Sequence, residues 1–207
     1  MDENGRRRVV IEGAAPEVGC GRHPAKRVVG ETVVASCDLV SDGHDIVAGF
    51  LLVKGPRASE FSRVPLVPRG NDRFEAAFVP ELVGRWELSF IGWVDAFATW
   101  QHDTRRKSEA SQDVGVELLA GAKILASAAE RARAARDEGS AAVLSKVAQT
   151  VADARLSQAD RFAAARGVAE LVARHPDLEN ATAYDKTLAL TVDRPLARFS
   201  AWYEFFP

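Results

Sequence analysis

Residues 85–103, with the sequence RWELSFIGWVDAFATWQHD, decide the expected fold. In the first half of this stretch, Trp86, Leu88, Phe90 and Val94 share one phase of a two-residue repeat. This period is typical of a strand that buries one face, because successive side chains of a strand point to opposite sides. We interpret the stretch as the last strand of a sheet, leading into a different kind of structure after residue 104.

The sequence before this stretch shows the same character in shorter pieces separated by turn residues. The pieces are RRVVIEG (7–13), ETVVASCDLV (31–40), IVAGFLLVK (46–54), FSRVPLVP (61–68) and RFEAAFVP (73–80). The prolines of FSRVPLVP favour an edge strand, because proline cannot donate to a central ladder. Together these pieces give about six or seven short strands, which predicts an antiparallel β-sandwich of immunoglobulin type.

From about residue 105 the pattern becomes helical and rich in alanine. Apolar side chains recur at spacings of three and four within residues 113–139, 141–154 and 156–176. Such spacing is typical of amphipathic helices, and helices with short connections form a small bundle. So much alanine indicates close helix contacts and a thin core. We therefore expect the bundle to lean on the sandwich or on another chain.

Strand character returns in LALTV, residues 188–192. A strand at this position would close the sandwich after the helices, so the helical region would be an insertion. The predicted organisation is the main part of the sandwich in residues 1–104, an inserted helical bundle in 105–185, and a return strand with a linker in 186–207. The fold class is mixed β and α, an immunoglobulin-like antiparallel β-sandwich with an inserted alanine-rich helical bundle.

The end of the sequence is unusually aromatic. The aromatic residues there are Phe199, Trp202, Tyr203, Phe205 and Phe206. Chain termini are normally polar and frayed. We therefore expect another part of the protein to cover these side chains.

Composition argues against several classes of function. The net charge of −2 at pH 7 provides no basic field for nucleic acid and no polybasic patch for a membrane surface. The apolar runs are only a few residues long, too short to span a membrane, and the first residues lack the apolar segment of a secretory signal. Cys20 and Cys37 make neither a disulfide framework nor a metal motif, so the expected location is a reducing cytoplasm.

The histidines give no pattern that points to catalysis or metal binding. No two of the four, His23, His44, His102 and His175, have a metal-ligand spacing. His44 lies in the turn DGHD, and His102 precedes Asp103, which on a strand would point to the opposite face. The sequence also lacks a Gly-x-Ser-x-Gly elbow and a glycine-rich phosphate loop. We predict no catalytic residue, metal or cofactor, with an enzyme that uses His102 as a remaining alternative.

Trp93 and Trp100 have two interpretations. Trp93 falls on the opposite strand face from Trp86, and Trp100 lies near the end of the aromatic stretch. The favoured interpretation is that both rings are anchors packed against the helical bundle. The alternative is that they present flat faces to an α-glucan, which would make the chain a carbohydrate-binding module.

Several longer stretches together resemble one known family. They are RRVVIEGAAPEVGCGRHPAKRVVGETV, DGHD, GWVDAFATWQHD, ASQDVGVELLAGAKIL and LTVDRPLARFSAWYEFFP. The most specific stretches are VDRPLARFSAWYEFFP and GWVDAFATW. Residues 128–184 resemble the family in their helical character more than in the identity of their residues. Over nearly its whole length the chain is similar to the N-terminal region of bacterial maltose-1-phosphate-dependent α-1,4-glucan maltosyltransferases, members of the α-amylase-like superfamily.

The resemblance implies a fold and a role. The family has an N-terminal β-sandwich interrupted by helices, then an (α/β)₈ barrel and a C-terminal β domain, and transfers maltosyl units from α-maltose 1-phosphate to α-1,4-glucans. Its aspartate nucleophile and glutamate acid/base belong to the barrel, which needs roughly 250 residues, so no catalytic residue is carried onto this chain. The resemblance further implies participation in a homodimer interface, with the terminal aromatic residues packed at the junction with the downstream barrel.

Overall fold

The computed structural model describes residues 7–199 and Glu204, which form two compact units. The β unit contains the described residues up to Asp42, Val47–Trp93 and those from Ala181 onward. The helical unit contains Gly43–Ile46 and Val94–Asn180. Because the helical unit interrupts the β unit in sequence, the prediction of a β-sandwich with a helical insertion is confirmed.

The described residues of the β unit form two sheets. The strands are β1 Val9–Ala15, β2 Ala25–Val28, β3 Val33–Ser41, β4 Val47–Lys54, β5 Ser62–Pro65, β6 Val67–Gly70, β7 Arg73–Phe78, β8 Gly84–Val94, β9 Thr182–Ala183 and β10 Leu188–Asp193. One sheet has the order β1–β3–β7–β6, and the other has the order β2–β10–β8–β4–β5 with β9 paired to β8. The specific immunoglobulin type stays a prediction.

Alternation along the strands produces the core of the β unit. On β3, the side chains of Val33, Ala35, Cys37 and Leu39 are all 0% exposed. Val33 shares a buried cluster with Leu190 of β10, which belongs to the other sheet. The two-residue period of the sequence therefore gives each sheet an inner face that packs against the other.

Strand β8 follows the predicted phase at its centre, whereas Trp86 and Val94 near its two ends are only half-buried. Leu88 and Phe90 are 0% exposed, as the alternation requires. Trp86 is only half-buried and packs at the margin of the core, with its ring 5.8 Å from that of Phe78. The large indole thus covers the end of the core rather than filling its centre.

A glycine on β4 allows close approach of neighbouring chains. A Cβ built on Gly49 would lie 2.8 Å from the carbonyl oxygen of Ile91 and 2.9 Å from the side chain of Leu39. Backbone cannot yield as a flexible side chain can, so this position requires glycine.

The edges of the sheets agree with the proline content of residues 61–68. Strands β5 and β6 lie at the edges of different sheets, so the chain changes sheet within this segment. Leu66, between the strands, is 8% exposed, and its N–H donates to the carbonyl of Gly49 at 2.9 Å. The predicted edge position is confirmed, and Pro65 and Pro68 occur where a missing donor is tolerated.

The return strand lies inside its sheet rather than at an edge. Strand β10 pairs antiparallel with β8 through Leu190 and Trp86, and in parallel with β2 through Leu190 and Ala25. The strand predicted at residues 188–192 therefore completes the sheet after the helical unit.

The helical unit begins earlier than the sequence pattern predicts. Its helices are α1 Ala96–Glu109, α2 Gly115–Ala134, α3 Glu138–Ala152, α4 Gln158–Arg166 and α5 Ala169–Arg174. The predicted boundary at residue 105 falls inside α1, so residues 96–104 are helical. The reason is local: Asp95 caps the helix by accepting the N–H of Ala98 at 2.9 Å. The predicted third helix is divided into α4 and α5 near Gly167, and β9 lies within the range assigned to the bundle.

Alanine and leucine fill the core of the helical unit. Leu118, Leu125 and Ala132 of α2 are 0% exposed, as are Leu144 and Val151 of α3. They belong to one buried cluster that extends to α1, α4 and α5. Among the described residues, no helix is both long enough and apolar enough to cross a membrane.

Candidate functional site

Trp93, the first of the two candidate stacking residues, is buried. It lies near the end of β8, is 7% exposed, and its ring centroid is 4.9 Å from that of Phe50 on β4. The Arg63 guanidinium in turn lies 5.8 Å from the ring of Phe50. Trp93 therefore packs on the β4 side of its own sheet and offers little free ring surface.

Trp100, the second, is a central part of the helical core. It is 8% exposed and lies on α1, with ring centroids 5.5 Å from Phe97 and 5.8 Å from Phe162. Its indole N–H donates to the carbonyl of Glu117 at 2.6 Å. A Cβ on Gly121 would lie 2.1 Å from Cζ2 of the indole, so α2 can pass this ring only because residue 121 has no side chain.

The burial of these two rings favours their interpretation as packing residues over glucan stacking. An aromatic platform for a sugar needs an exposed ring face, and neither Trp93 nor Trp100 has one in this structure. Trp100 packs within the helical unit and Trp93 within the β unit. The packing of Trp93 against the helical bundle stays a prediction. Glucan stacking stays an untested alternative.

The structure does not bring the four histidines together as a catalytic group. His23 is exposed next to β2, and His44 is exposed in the turn before β4, as predicted for a turn residue. His102 lies on α1 and is half-buried, so the strand geometry assumed for its neighbour Asp103 was wrong.

The remaining histidine takes part in a polar cluster that sequence reasoning missed. His175 Nε2 lies 3.0 Å from Asp137 Oδ2, and the same carboxylate oxygen accepts the Ser140 hydroxyl at 2.7 Å. Asp137 Oδ1 accepts the backbone N–H of Ser140 at 3.0 Å, which caps α3. We call Asp137, Ser140 and His175 the helix clasp, because it joins the start of α3 to the residue that follows α5.

The electrostatics of the helix clasp favour an ionised aspartate. Hydrogen bonds from Ser140, and then from His175, lower the pKa of Asp137 to about 2. From α2, the Arg131 guanidinium donates to the carbonyl of His175 at 2.8 Å and lies 3.6 Å from the carboxylate of Asp177. The cluster thus connects α2, α3 and the chain after α5.

The helix clasp contains the residue types of a hydrolytic triad in a different arrangement. In a triad the histidine bridges the serine and the aspartate, so that it can remove the proton of the serine. Here Asp137 is the central group, and it accepts from Ser140 while contacting His175. Because the serine donates directly to the carboxylate, the arrangement holds helices together and does not activate a nucleophile.

The cysteines and acidic residues add no candidate chemistry within the described part of the chain. Burial raises the pKa of the Cys37 thiol to about 12, which keeps it protonated and unreactive. Cys20 is exposed in the turn before β2. In residues 7–199 and 204, no three or more histidine, cysteine or acidic side chains are grouped so that they could hold a metal ion.

Comparison with known proteins assigns the chain to a family. Residues 7–194 match the family model described as α-1,4-glucan:maltose-1-phosphate maltosyltransferase, domain N/S. The chain belongs to this family. The match includes nearly all of both units, and it confirms the resemblance carried by the sequence motifs.

Curated members of the maltosyltransferase family from several bacteria are similar to the chain. The α-1,4-glucan:maltose-1-phosphate maltosyltransferase of Myxococcus xanthus is 40% identical over 203 residues, which cover 96% of this chain and 30% of the relative. The corresponding proteins of Chlorobaculum tepidum and Streptomyces coelicolor are 38% and 36% identical and cover 99% and 97% of the chain. The chain spans about 30% of the length of these relatives.

The residues predicted to pack at the junction with a barrel are only partly described. Phe199 follows the 3₁₀ helix Pro195–Arg198 and is 80% exposed. The other four, Trp202, Tyr203, Phe205 and Phe206, lie outside the described residues.

Proposed function

We propose that this chain is the N-terminal, non-catalytic architectural and dimerisation region of a bacterial maltosyltransferase. The polypeptide would transfer maltosyl units from α-maltose 1-phosphate to α-1,4-glucan. The observation that carries the proposal is the match of residues 7–194 to domain N/S of this family. The chain spans about 30% of the length of its relatives. The proposal assigns the catalytic residues to a barrel in the part of the polypeptide that this chain does not include.

The chemistry of the described residues supports a non-catalytic role. The one histidine with a carboxylate partner at 3.0 Å among these residues, His175, belongs to the helix clasp and serves helix packing. Trp93 and Trp100 are both buried and pack within their units. A region built in this way contributes surfaces and positions other parts of a protein, because function depends on sites rather than on folds.

An exposed apolar face on α2 supports the dimerisation part of the proposal. On this helix Val116 is 78% exposed and Leu119 is 50% exposed, at the helical spacing of three that puts them on one side. On the adjoining helix α3, Val143 is 45% exposed. Exposed apolar side chains grouped on a helix are typical of an interface, and a second copy of this chain is the partner that the proposal assigns to them.

Analytical ultracentrifugation of the purified chain tests dimerisation directly. We expect a concentration-dependent dimer that the variant Val116→Ser/Leu119→Ser weakens by tenfold or more, since removing two apolar side chains from the interface costs about 1.4 kcal/mol or more. The matched control is Leu82→Ser/Val83→Ser, which changes two exposed apolar side chains of the β unit. A chain that stays monomeric at its highest soluble concentration, or a dimer that both variants weaken equally, would contradict the proposal.

Two further measurements separate this function from its rivals. We expect the purified chain to release no phosphate from α-maltose 1-phosphate and to transfer no maltosyl units to maltooligosaccharides. Turnover that depends on His102 would instead support a free-standing enzyme. Isothermal titration with maltooligosaccharides should show no binding, whereas binding that Trp93→Ala abolishes would support a carbohydrate-binding module.

A further inference from the structure

The turn that follows β3 contains an exposed aspartate with a glycine after it. Asp42 comes directly after the last residue of β3, and its side chain is 78% exposed. Gly43 is exposed as well and has a φ of 98°, a conformation that residues with a side chain rarely adopt. The shape of the turn therefore requires a glycine at the position after Asp42.

A bond between aspartate and glycine can rearrange with water as the only other reactant. The Gly43 nitrogen attacks Cγ of the Asp42 carboxyl group, and the new N–Cγ bond closes a cyclic succinimide. One carboxyl oxygen leaves as water, together with the amide proton and the acid proton. Water then opens the ring. If the bond from the nitrogen to the main-chain carbonyl carbon breaks, the product is isoaspartate, and if the new bond breaks, aspartate is restored. Nothing is oxidised or reduced, and glycine has no side chain to hinder the attack.

Arg8 holds the carboxylate of Asp42 in a position that disfavours this ring closure. Its Nε donates to Oδ1 of Asp42 at 2.9 Å, and its Nη2 donates to the main-chain carbonyl oxygen of the same residue at 2.8 Å. The guanidinium fork thus draws the carboxylate to the side of that carbonyl oxygen. In a planar peptide group the nitrogen of Gly43 lies on the other side of the carbonyl carbon. Cγ is therefore kept away from the atom that would attack it.

We propose that the bond between Asp42 and Gly43 is a site of isoaspartate formation, and that Arg8 suppresses the reaction by holding the Asp42 carboxylate in its fork. Arg8 precedes β1, and β1 pairs with β3 through Val9 and Ser41. This pairing places the guanidinium beside a carboxylate that is 34 residues away in the sequence. The protection therefore depends on the folded sheet and is absent from the unfolded chain.

Isoaspartate would lengthen the main chain of this turn by one carbon atom, because the chain would then run through the side chain of Asp42. The turn ends at Ile46, whose N–H donates to Oγ1 of Thr99 at 2.9 Å and whose carbonyl accepts the N–H of Asp95 at 2.8 Å. Asp95 is the residue that caps α1. We therefore expect the modification to disturb the contacts at the start of that helix. The inference goes beyond the proposed function, since it requires neither dimerisation nor catalysis.

Peptide mapping of the aged chain tests the inference. The purified chain and its variants are incubated at neutral pH beside a synthetic peptide of residues 38–48, and mass spectrometry with electron-transfer fragmentation measures isoaspartate at residue 42. The parent should react more slowly than the peptide. Arg8→Gln should react about fivefold faster than the parent, the most that an exposed ion pair contributes to holding two groups in one geometry. Arg8→Lys should also react faster, because lysine keeps the charge but lacks the planar fork.

The matched control is Arg69→Gln, which removes another exposed ion pair of the β unit, that of Arg69 with Glu75 at 2.9 Å. It should react at the rate of the parent, and the urea midpoints of all variants should match, because the changed side chains are exposed. Equal rates in the parent and the peptide, or in the parent and Arg8→Gln, would overturn the inference. So would a faster reaction in Arg69→Gln, or a parent-like rate in Arg8→Lys, since charge alone would then explain the protection.

Discussion

Replacing Gly121 by alanine tests the packing of the helical unit most sharply. The new Cβ would lie 2.1 Å from Cζ2 and 2.3 Å from Cε2 of Trp100, far inside van der Waals contact. Both the indole and the helix backbone lie in the core, so the ring must leave its position. It would then lose its hydrogen bond to the Glu117 carbonyl and its contact with Phe162.

The expected change in unfolding free energy is the sum of two destabilising contributions and one stabilising contribution. Overpacking of a core costs about 1–3 kcal/mol, and an indole N–H left buried without a partner costs about 1–3 kcal/mol. Against this, alanine is better than glycine inside a helix by about 1 kcal/mol. The helical unit should therefore lose roughly 1–5 kcal/mol of unfolding free energy. Urea denaturation followed by circular dichroism at the helical minimum measures this loss.

Two further variants separate the steric clash with Trp100 from the general effect of alanine on helix stability. Gly139→Ala on α3 is the matched control, because its Cβ would come only within 3.6 Å of a neighbouring atom, Asp137 Oδ1. It should change stability little or raise it slightly. In a Trp100→Phe background the outer indole atoms Cζ2 and Cη2 are absent, so Gly121→Ala should destabilise the chain clearly less. The same cost for Gly121→Ala in both backgrounds would refute the reasoning.

The helix clasp and the buried thiol give two more tests. The lowered pKa of Asp137 adds stability that is present above its ordinary pKa of 3.8 and is lost as the pH falls toward about 2. Asp137→Asn should therefore weaken the acid dependence of the urea midpoint between those values. Some dependence should remain, because Arg155 lowers the pKa of Asp153 to about 2 as well, and an unchanged pH profile would contradict the assignment. In alkylation at pH 8, Cys20 should react in the native chain and Cys37 only on unfolding; rapid labelling of both would mean that the core is open.

The strands could be predicted from the sequence because one physical rule decides them. Burial of one face of a sheet requires apolar residues at every second position, and β3 and β8 show that period clearly. The prolines of residues 61–68 also predicted an edge strand, which the structure divides into two edge strands, β5 and β6.

The start of the helical unit was misplaced because two patterns overlap there. The aromatic residues of 92–103 suggested a continuing strand, although Phe97 and Trp100 are three residues apart and lie on one side of α1. The capping residue Asp95, which comes just before them, is the signal that could have identified this helix.

Other features could not be read from local sequence at all. Asp137 and His175 are 38 residues apart, and their contact depends on the way α3 and α5 are arranged. Gly121 is likewise unfavourable inside a helix by local propensity, and only the ring of Trp100 on another helix explains why glycine is needed there. Side-chain contacts between distant elements are properties of tertiary packing, which the periodicity of one segment does not contain.

The interior position of β10 has a consequence for how this chain is synthesised. Leu188 pairs with Leu88, so the ribosome adds about one hundred residues between the two partners, and β8 lacks this neighbour throughout that time. Bringing such distant residues together through a flexible chain is entropically unfavourable, and the cost increases with the length of the loop. Once the helical unit has folded, most residues between β8 and β10 are no longer flexible, so the effective length of the loop is much smaller. Helix formation during translation would therefore set the rate at which the sheet closes, and a mutation in the helical core would delay the burial of the strands.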